Sequence, residues 1–190
     1  MRESHEQWFV ANYCNQCGAP VEVRIPPGDS LPRHVCQRCA TVHYQNPKLV
    51  IGCIAEWQGD ILLCRRAIEP RYGLWTLPAG FMENGESTTQ AALRETLEEA
   101  CARIEIDDLF SLVNVPYINQ VHLFYRGRLL DTNFAAGVES LETVLFSEAE
   151  IPWQELAFRS VTLSLKAYFA DRRAARFAFH EYDLRPPTGY

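Results

Sequence analysis

Gly80-Phe81-Met82-Glu83-Asn84-Gly85-Glu86-Ser87-Thr88-Thr89-Gln90-Ala91-Ala92-Leu93-Arg94-Glu95-Thr96-Leu97-Glu98-Glu99-Ala100-Cys101-Ala102 is the stretch on which the reading of this chain turns. Ser87 followed three residues later by Gln90 is a capping-box signature. Residues 91–102 are mostly good helix formers, so a helix is predicted there. Turning about 100° per residue, with Glu95 taken as zero, Glu98 lies about 60° to one side and Glu99 about 40° to the other. Three carboxylates thus share one face. Leu93, Leu97 and Ala100 fall on the other side, which is expected to pack on a sheet while the glutamates face outward. Like charges at this spacing cost a helix a few tenths of a kcal/mol. A hard cation such as Mg²⁺ or Mn²⁺ reverses that penalty. A bare E-x-x-E-E also describes a solvated acidic face. Two neighbours favour the metal cradle: the loop Leu77-Pro78-Ala79-Gly80, where backbone can approach a ligand, and Glu86, placed to pair with Arg94.

Working outward, the 190 residues are 47% hydrophobic and 22% charged, enough apolar mass for a packed core. The net charge of -6 provides no general field for polyanions, so a phosphate compound must be drawn by local cations. No stretch is long and apolar enough to span a membrane, and the polar start does not read as a secretion signal. Seven cysteines, an odd number, point to free thiols in a reducing, cytoplasmic setting.

Residues 1–10 read as a loose leader and 11–45 as a small module. Gln45-Asn46-Pro47 reads as a junction. Residues 46–175 form the main domain and 176–190 a tail. Within the main domain, residues 49–57 and 61–64 read as a hairpin around Gln58-Gly59-Asp60. Further strands are expected at 110–115, 121–129 and 142–146. Ser147 is read as the cap of a short helix, and 161–173 as a last helix with Val161, Leu165, Tyr168 and Phe169 on one face. Mixed strands with few helices imply an α/β sandwich.

The small module carries Cys14-x2-Cys17, eighteen residues, then Cys36-x2-Cys39. Each x2 spacing bends the chain so that two sulfurs face one ion, and four thiolates suit structural Zn²⁺. Gly18 and Ala40, both small, follow the pairs, as a tight knuckle allows. With four sulfurs the zinc has no open position and serves structure alone. Two redox dithiols are the competing reading.

These residues resemble the Nudix box, G-x5-E-x7-R-E-U-x-E-E-x-G-U with U bulky and aliphatic: Gly80, Glu86, Arg94, Glu95, Glu98 and Glu99 all fit. Thr96, Cys101 and Ala102 depart from it at uncharged positions. Tyr44-Gln45-Asn46-Pro47-Lys48, residues 73–80 and Glu139-Ser140-Leu141-Glu142 look like the zinc-ribbon branch of Nudix hydrolases, which includes FAD and ADP-ribose pyrophosphatases. The resemblance implies an α/β/α sandwich around a mixed sheet with a small N-terminal zinc ribbon. It implies catalytic metal on Glu95, Glu98 and Glu99, helped by a carbonyl near Gly80 and oriented by Arg94 and Glu86. It implies a homodimer by analogy.

On this reading the chain is a pyrophosphohydrolase that releases AMP from a small adenosine diphosphate-linked molecule such as FAD or ADP-ribose. The general base is one of the three glutamates, Glu139 or Glu142. Arg66, at the end of the second strand, is placed to clamp phosphate, with Arg65 on the other face. Trp75, Tyr72 and Phe81 are candidates to stack on a base, and Trp75, Gly80 and Glu142 complete the expected substrate site. His122 reads as structural. An NADH pyrophosphatase is a rival, but the Ser-Gln-Pro-Trp-Pro-Phe-Pro-like segment of that group is replaced by Ser111-Leu112-Val113-Asn114-Val115-Pro116-Tyr117. A nucleic-acid-binding ribbon is a second: Arg24, Arg33 and Arg38 against Glu22 and Asp29 leave a net of only +1, too little for such a surface, so no nucleic-acid partner is expected. A nucleotide sensor without turnover is a third, opposed by the unbroken glutamate set.

Overall fold

The computed structural model describes residues 11–186. The expected leader lies outside the described residues. The chain divides into two compact units, the first ending at Pro47 and the second beginning at Lys48.

The first unit is a three-stranded antiparallel sheet of β1 (Val21–Arg24), β2 (Arg33–Cys36) and β3 (Val42–His43), in the order β1-β2-β3. Among the described residues its buried side chains are few: Cys14, Pro26, Val35 and Cys36. So small an apolar core needs a cross-link to hold a fold.

The second unit is built on β4 (Lys48–Trp57), β5 (Asp60–Arg66), β6 (Trp75–Thr76), β7 (Ala79–Phe81), α1 (Thr88–Ala100), β8 (Ile104–Val115), β9 (Gln120–Leu129), β10 (Ser140–Phe146), α2 (Arg159–Arg173) and β11 (His180–Asp183). The sheet runs β10-β5-β4-β9-β8-β11, with β6 beside β5 and β7 beside β4. β4 pairs with β9, and β8 with β11, in parallel; the other pairs are antiparallel, so the sheet is mixed. Alternation along the strands serves two layers. Cys53, Ala55, Leu62 and Cys64 pack with Ala91, Ala92 and Ala100 of α1. Ile54, Ile61, Leu63 and Phe124 pack with Val161, Leu165, Tyr168 and Phe169 of α2, the face the sequence had assigned to that helix. Among the described residues no helix is long and apolar enough to cross a membrane.

Three expectations fail. The sequence reads 176–190 as a tail, but β11 lies within them: His180 to Asp183 join the sheet edge alongside Ser111 to Asn114, and Leu184 is buried against Val113 and Val115. The strand carries no clean apolar alternation, since its partner supplies the backbone hydrogen bonds. Ser147 caps no helix; its hydroxyl and Glu150 close a turn, and the helical turn at Trp153–Glu155 comes later.

The third failure matters most. Leu93 and Leu97 are the exposed side of α1, while Glu95 and Glu99 sit on the buried side with Ala91, Ala92, Thr96 and Ala100. Small alanines let the helix lie close to the sheet, and the carboxylates reach its rim. The departures from the Nudix pattern are accommodated: Thr96 is fully buried and its hydroxyl donates to the Ala92 carbonyl at 2.7 Å. Cys101 ends the helix in the left-handed region (φ 49°), where its N–H reaches Leu97. A left-handed non-glycine residue costs about 1–2 kcal/mol. Cys101→Gly is therefore expected to stabilise the protein by about 1 kcal/mol, read as a shift of the urea midpoint at constant slope.

Candidate active site

α1 begins with the capping box predicted for it: Ser87 Oγ accepts from the Gln90 N–H at 3.2 Å, and Gln90 Oε1 accepts from the Ser87 N–H at 2.7 Å. The helix then carries its acidic residues toward the strand that follows Pro78. The Ala79 N–H donates to Glu99 Oε2 at 3.0 Å. Gly80 lies against Glu95 so closely that a Cβ would fall 2.3 Å from Oε2, which is why no side chain fits there.

Arg94 organises the outer part. Its Nη2 donates to Glu86 at 2.7 Å and to the Phe81 carbonyl at 3.1 Å; its Nη1 donates to Glu95 at 2.6 Å and to Glu98 at 3.1 Å. Glu86, held by Arg94 and by the Glu83 N–H, is lowered to about 2. Burial acts the other way deeper in. It pushes Glu99 up to about 7, against the Ala79 N–H and with the help of the Glu95 charge. It also raises Glu95 in spite of Arg94 beside it. Glu139, on the loop before β10, adds its charge to both.

The donor set fits a hard divalent cation. Oxygen ligands are gathered at the rim of a buried face, and two of them are disfavoured as anions when nothing positive lies between them. The trio is not drawn together as tightly as the helical wheel implies: one Arg94 nitrogen bridges Glu95 and Glu98. Among the described residues, the set of three or more His, Cys, Asp or Glu donor atoms that all lie within 4.8 Å of one another is Cys14, Cys17, Cys36 and Cys39.

In that cysteine cluster Cys17 and Cys36 are 3.4 Å apart, Cys17 and Cys39 3.5 Å, and Cys14 and Cys39 3.6 Å, sulfur to sulfur. Tetrahedral Zn–S bonds place sulfurs roughly 3.8 Å apart, so little movement is needed to admit the ion. The two knuckles repeat one another. Gly18 (φ 70°) and Ala40 (φ 60°) turn the chain through the left-handed region and donate to the carbonyls of Cys14 and Cys36. The Cys39 thiol, hydrogen-bonded to Thr41, is lowered to about 6, toward the thiolate that zinc takes.

A family model described as NUDIX domain matches residues 46–170, and one described as Nudix N-terminal, a zinc ribbon, matches 12–45. The chain belongs to the NUDIX family. A solved NUDIX hydrolase from Nitrosomonas europaea is 52% identical, with a TM-score of 0.90 over 92% of this chain and 99% of that one. Among curated proteins, the human 8-oxo-dGDP phosphatase NUDT18 is 32% identical over 55% of this chain and 33% of its own length. The NAD-capped RNA hydrolase NudC of Edwardsiella ictaluri is 31% identical over 55% and 38%. The ADP-ribose pyrophosphatase of Methanocaldococcus jannaschii is 33% identical over 38% and 43%. The chain thus spans well under half the length of these curated relatives.

In this NUDIX domain the expected substrate residues part company. Gly80 lies at the glutamates. Arg66 is buried at the end of β5, its Nε donating to the Pro70 carbonyl and its guanidinium 5.1 Å from the Phe158 ring, with its charge felt by Glu99. Trp75 and Glu142, expected there too, are not. Trp75 is core, edge-on to Phe146 at 4.9 Å, because the short β6 turns it inward with the α2 layer. Glu142 pairs with Arg65 at 2.9 Å. Arg65 alternates with Cys64, which faces α1, so this pair lies on the other face of the sheet. Tyr72 and Phe81 are exposed. The sequence left Glu139 and Glu142 equal; strand register separates them.

His122 is structural, buried between Gln120 Oε1 at 2.9 Å and Ser160 Oγ at 2.8 Å. Burial lowers it to about 4 from an ordinary 6.5. The unfolded chain then binds the proton first, so stability present above pH 6.5 is lost as pH falls toward 4, by about 3 kcal/mol from this group. His122→Gln is expected to flatten the acid limb of a plot of unfolding free energy against pH.

Proposed function

We propose that this chain hydrolyses the diphosphate bond of a small adenosine diphosphate-linked molecule, releasing AMP: from FAD with FMN, or from ADP-ribose with ribose 5-phosphate. The observation that carries it is the Glu95–Glu99 pair, gathered on the buried face of α1 with Glu95 pressed against Gly80 and Glu99 held by the Ala79 N–H.

Glu95, Glu98 and Glu99 would hold Mg²⁺ or Mn²⁺. Such a cation supplies neutralisation of the diphosphate charge and a water of lowered pKa. The rest falls to the chain. Arg94, fastened by Glu86 and the Phe81 carbonyl, orients Glu95 and Glu98. The Ala79 N–H fixes the rotamer of Glu99. Arg66, whose charge reaches Glu99, would meet a phosphate oxygen. Glu139 takes the proton of the attacking water: its carboxylate is exposed and has no ion pair among the described residues, whereas Glu142 is engaged by Arg65.

Similarity to the NAD-capped RNA hydrolase NudC favours a second reading, a nicotinamide-bearing diphosphate of the same chemistry, whose small-molecule form is NADH. A panel of FAD, ADP-ribose, NADH and NAD-capped RNA, each with Mg²⁺ and with Mn²⁺, should show metal-dependent AMP from FAD or ADP-ribose. Cleavage of NADH or of capped RNA alone, the latter read as nicotinamide mononucleotide and 5′-monophosphate RNA because its adenosine stays on the RNA, would transfer the assignment to the second reading. No release from any of them would sink both.

A further inference from the structure

The loop of residues 130–139, between β9 and β10, touches α1 in an unusual way. Phe134 packs on the layer that holds Ala91, Ala92 and Ala100 of α1, and beyond it the loop meets the helix through backbone. The Ala135 N–H donates to the Ala100 carbonyl at 2.9 Å, and the Gly137 N–H donates to the Glu99 carbonyl at 3.0 Å. These carbonyls belong to the last turn of α1, which has no partners of its own within the helix. At Gly137 the approach is closest. A Cβ there would sit 1.7 Å from the Glu98 carbonyl oxygen and 3.1 Å from the Glu99 carbonyl carbon. Its φ is not left-handed, so glycine is required for space and not for conformation.

Two more bonds carry the chain stiffly onward. The Ser140 N–H donates to the Gly137 carbonyl at 3.1 Å, and the Ala67 N–H donates to the Glu139 carbonyl at 2.8 Å. Glu139 is therefore two residues from a backbone clamp on the catalytic helix and is itself tied to the end of β5. We infer that Gly137 is a positioning residue: by docking its backbone on the Glu98 and Glu99 peptide, it sets where the Glu139 carboxylate stands relative to Glu95 and Glu99. The helix that supplies the metal-holding oxygens and the loop that supplies the proton acceptor then share one rigid reference. The inference rests on the proposed hydrolysis for its kinetic consequence, but the docking also has one for metal binding. A fourth carboxylate held near the site strengthens its attraction for a cation.

The test is a double-mutant cycle on the full chain with Gly137→Ala, Glu139→Gln and the pair. Glu139→Gln should lower kcat by about 10²–10⁴-fold, the range for a general base. Gly137→Ala should lower kcat by at least about 10-fold with KM changed less than about 3-fold, and should add nothing in the Glu139→Gln background. Mn²⁺ affinity, measured calorimetrically without substrate, should fall by a similar factor in either single variant and no further in the pair. A glycine inserted between Val138 and Glu139 keeps the docking and slackens only the tether, so it should reproduce the kinetic loss even if Gly137→Ala fails to fold. Losses that multiply in the pair, or an insertion variant with parental kcat and Mn²⁺ affinity, would overturn the inference. If the parent hydrolyses nothing in the panel, the proposed function fails on its own. The Mn²⁺ cycle then decides the docking: equal affinity in parent, Glu139→Gln and the insertion variant refutes it.

Discussion

Glu99→Gln is expected to abolish hydrolysis and, near pH 8 without metal, to raise the melting temperature. The two effects have one cause. Glu99 is 6% exposed, and burial lifts its carboxyl from an ordinary 4.5 to about 7. The folded state therefore holds a proton that the unfolded chain releases earlier. The stability from this group is complete below pH 4.5 and is lost as pH rises through 7, a difference of about 3 kcal/mol. Glutamine keeps an oxygen to accept from the Ala79 N–H and cannot ionise, so the loss disappears. For a chain of this size that is roughly 5–10 °C at high pH and little change near pH 4.5. In the parent, Mg²⁺ or Mn²⁺ should produce the same stabilisation, growing with pH, and in the variant much less. Turnover should fall on the order of 10³-fold or more, as a ligand worth several kcal/mol of charge stabilisation is lost. Scanning calorimetry at pH 5 and 8, with and without Mn²⁺, reads the first effect and AMP release the second. A variant less stable than the parent at pH 8 would show that Glu99 is held ionised by something other than a cation.

Cys36→Ser is expected to unfold the first unit. Among the described residues of that unit the buried side chains are Cys14, Pro26, Val35 and Cys36 alone, and its long apolar residues Val23, Ile25 and Leu31 are exposed. Structural zinc in small modules contributes an apparent binding energy of about 10–16 kcal/mol near neutral pH, more than such a core supplies. The parent should carry one zinc per chain by elemental analysis. In Cys36→Ser the amides of β1, β2 and β3 should exchange at the rate of an unfolded segment while those of β4, β5 and β9 stay protected. Zinc-free protein with slow exchange in β2 would show that hydrogen bonds and packing alone hold the ribbon.

Much of this is legible in the sequence. The capping box, the helix it starts, the cysteine knuckles with the small residues that follow them, the Arg94–Glu86 pair and the apolar face of α2 all follow from short-range interactions or from spacing along the chain. The misreadings share a different origin. Leu93 and Leu97 were given to the core because hydrophobicity is the usual guide to a buried face, and here the buried face carries Glu95 and Glu99 instead. Trp75 was offered to substrate because its neighbours are a loop in sequence, whereas β5 and Phe146 enclose it in space.

By itself the sequence determined where the candidate donors lie along the chain: four thiols in paired knuckles, and carboxylates with one arginine on a single helix. Tertiary structure alone decided that Glu95 and Glu99 are buried, that Glu139 and not Glu142 stands with them, and that 180–183 is a strand. Burial, strand register and edge pairing are relations between segments distant along the chain, and a local pattern of side chains carries no record of them.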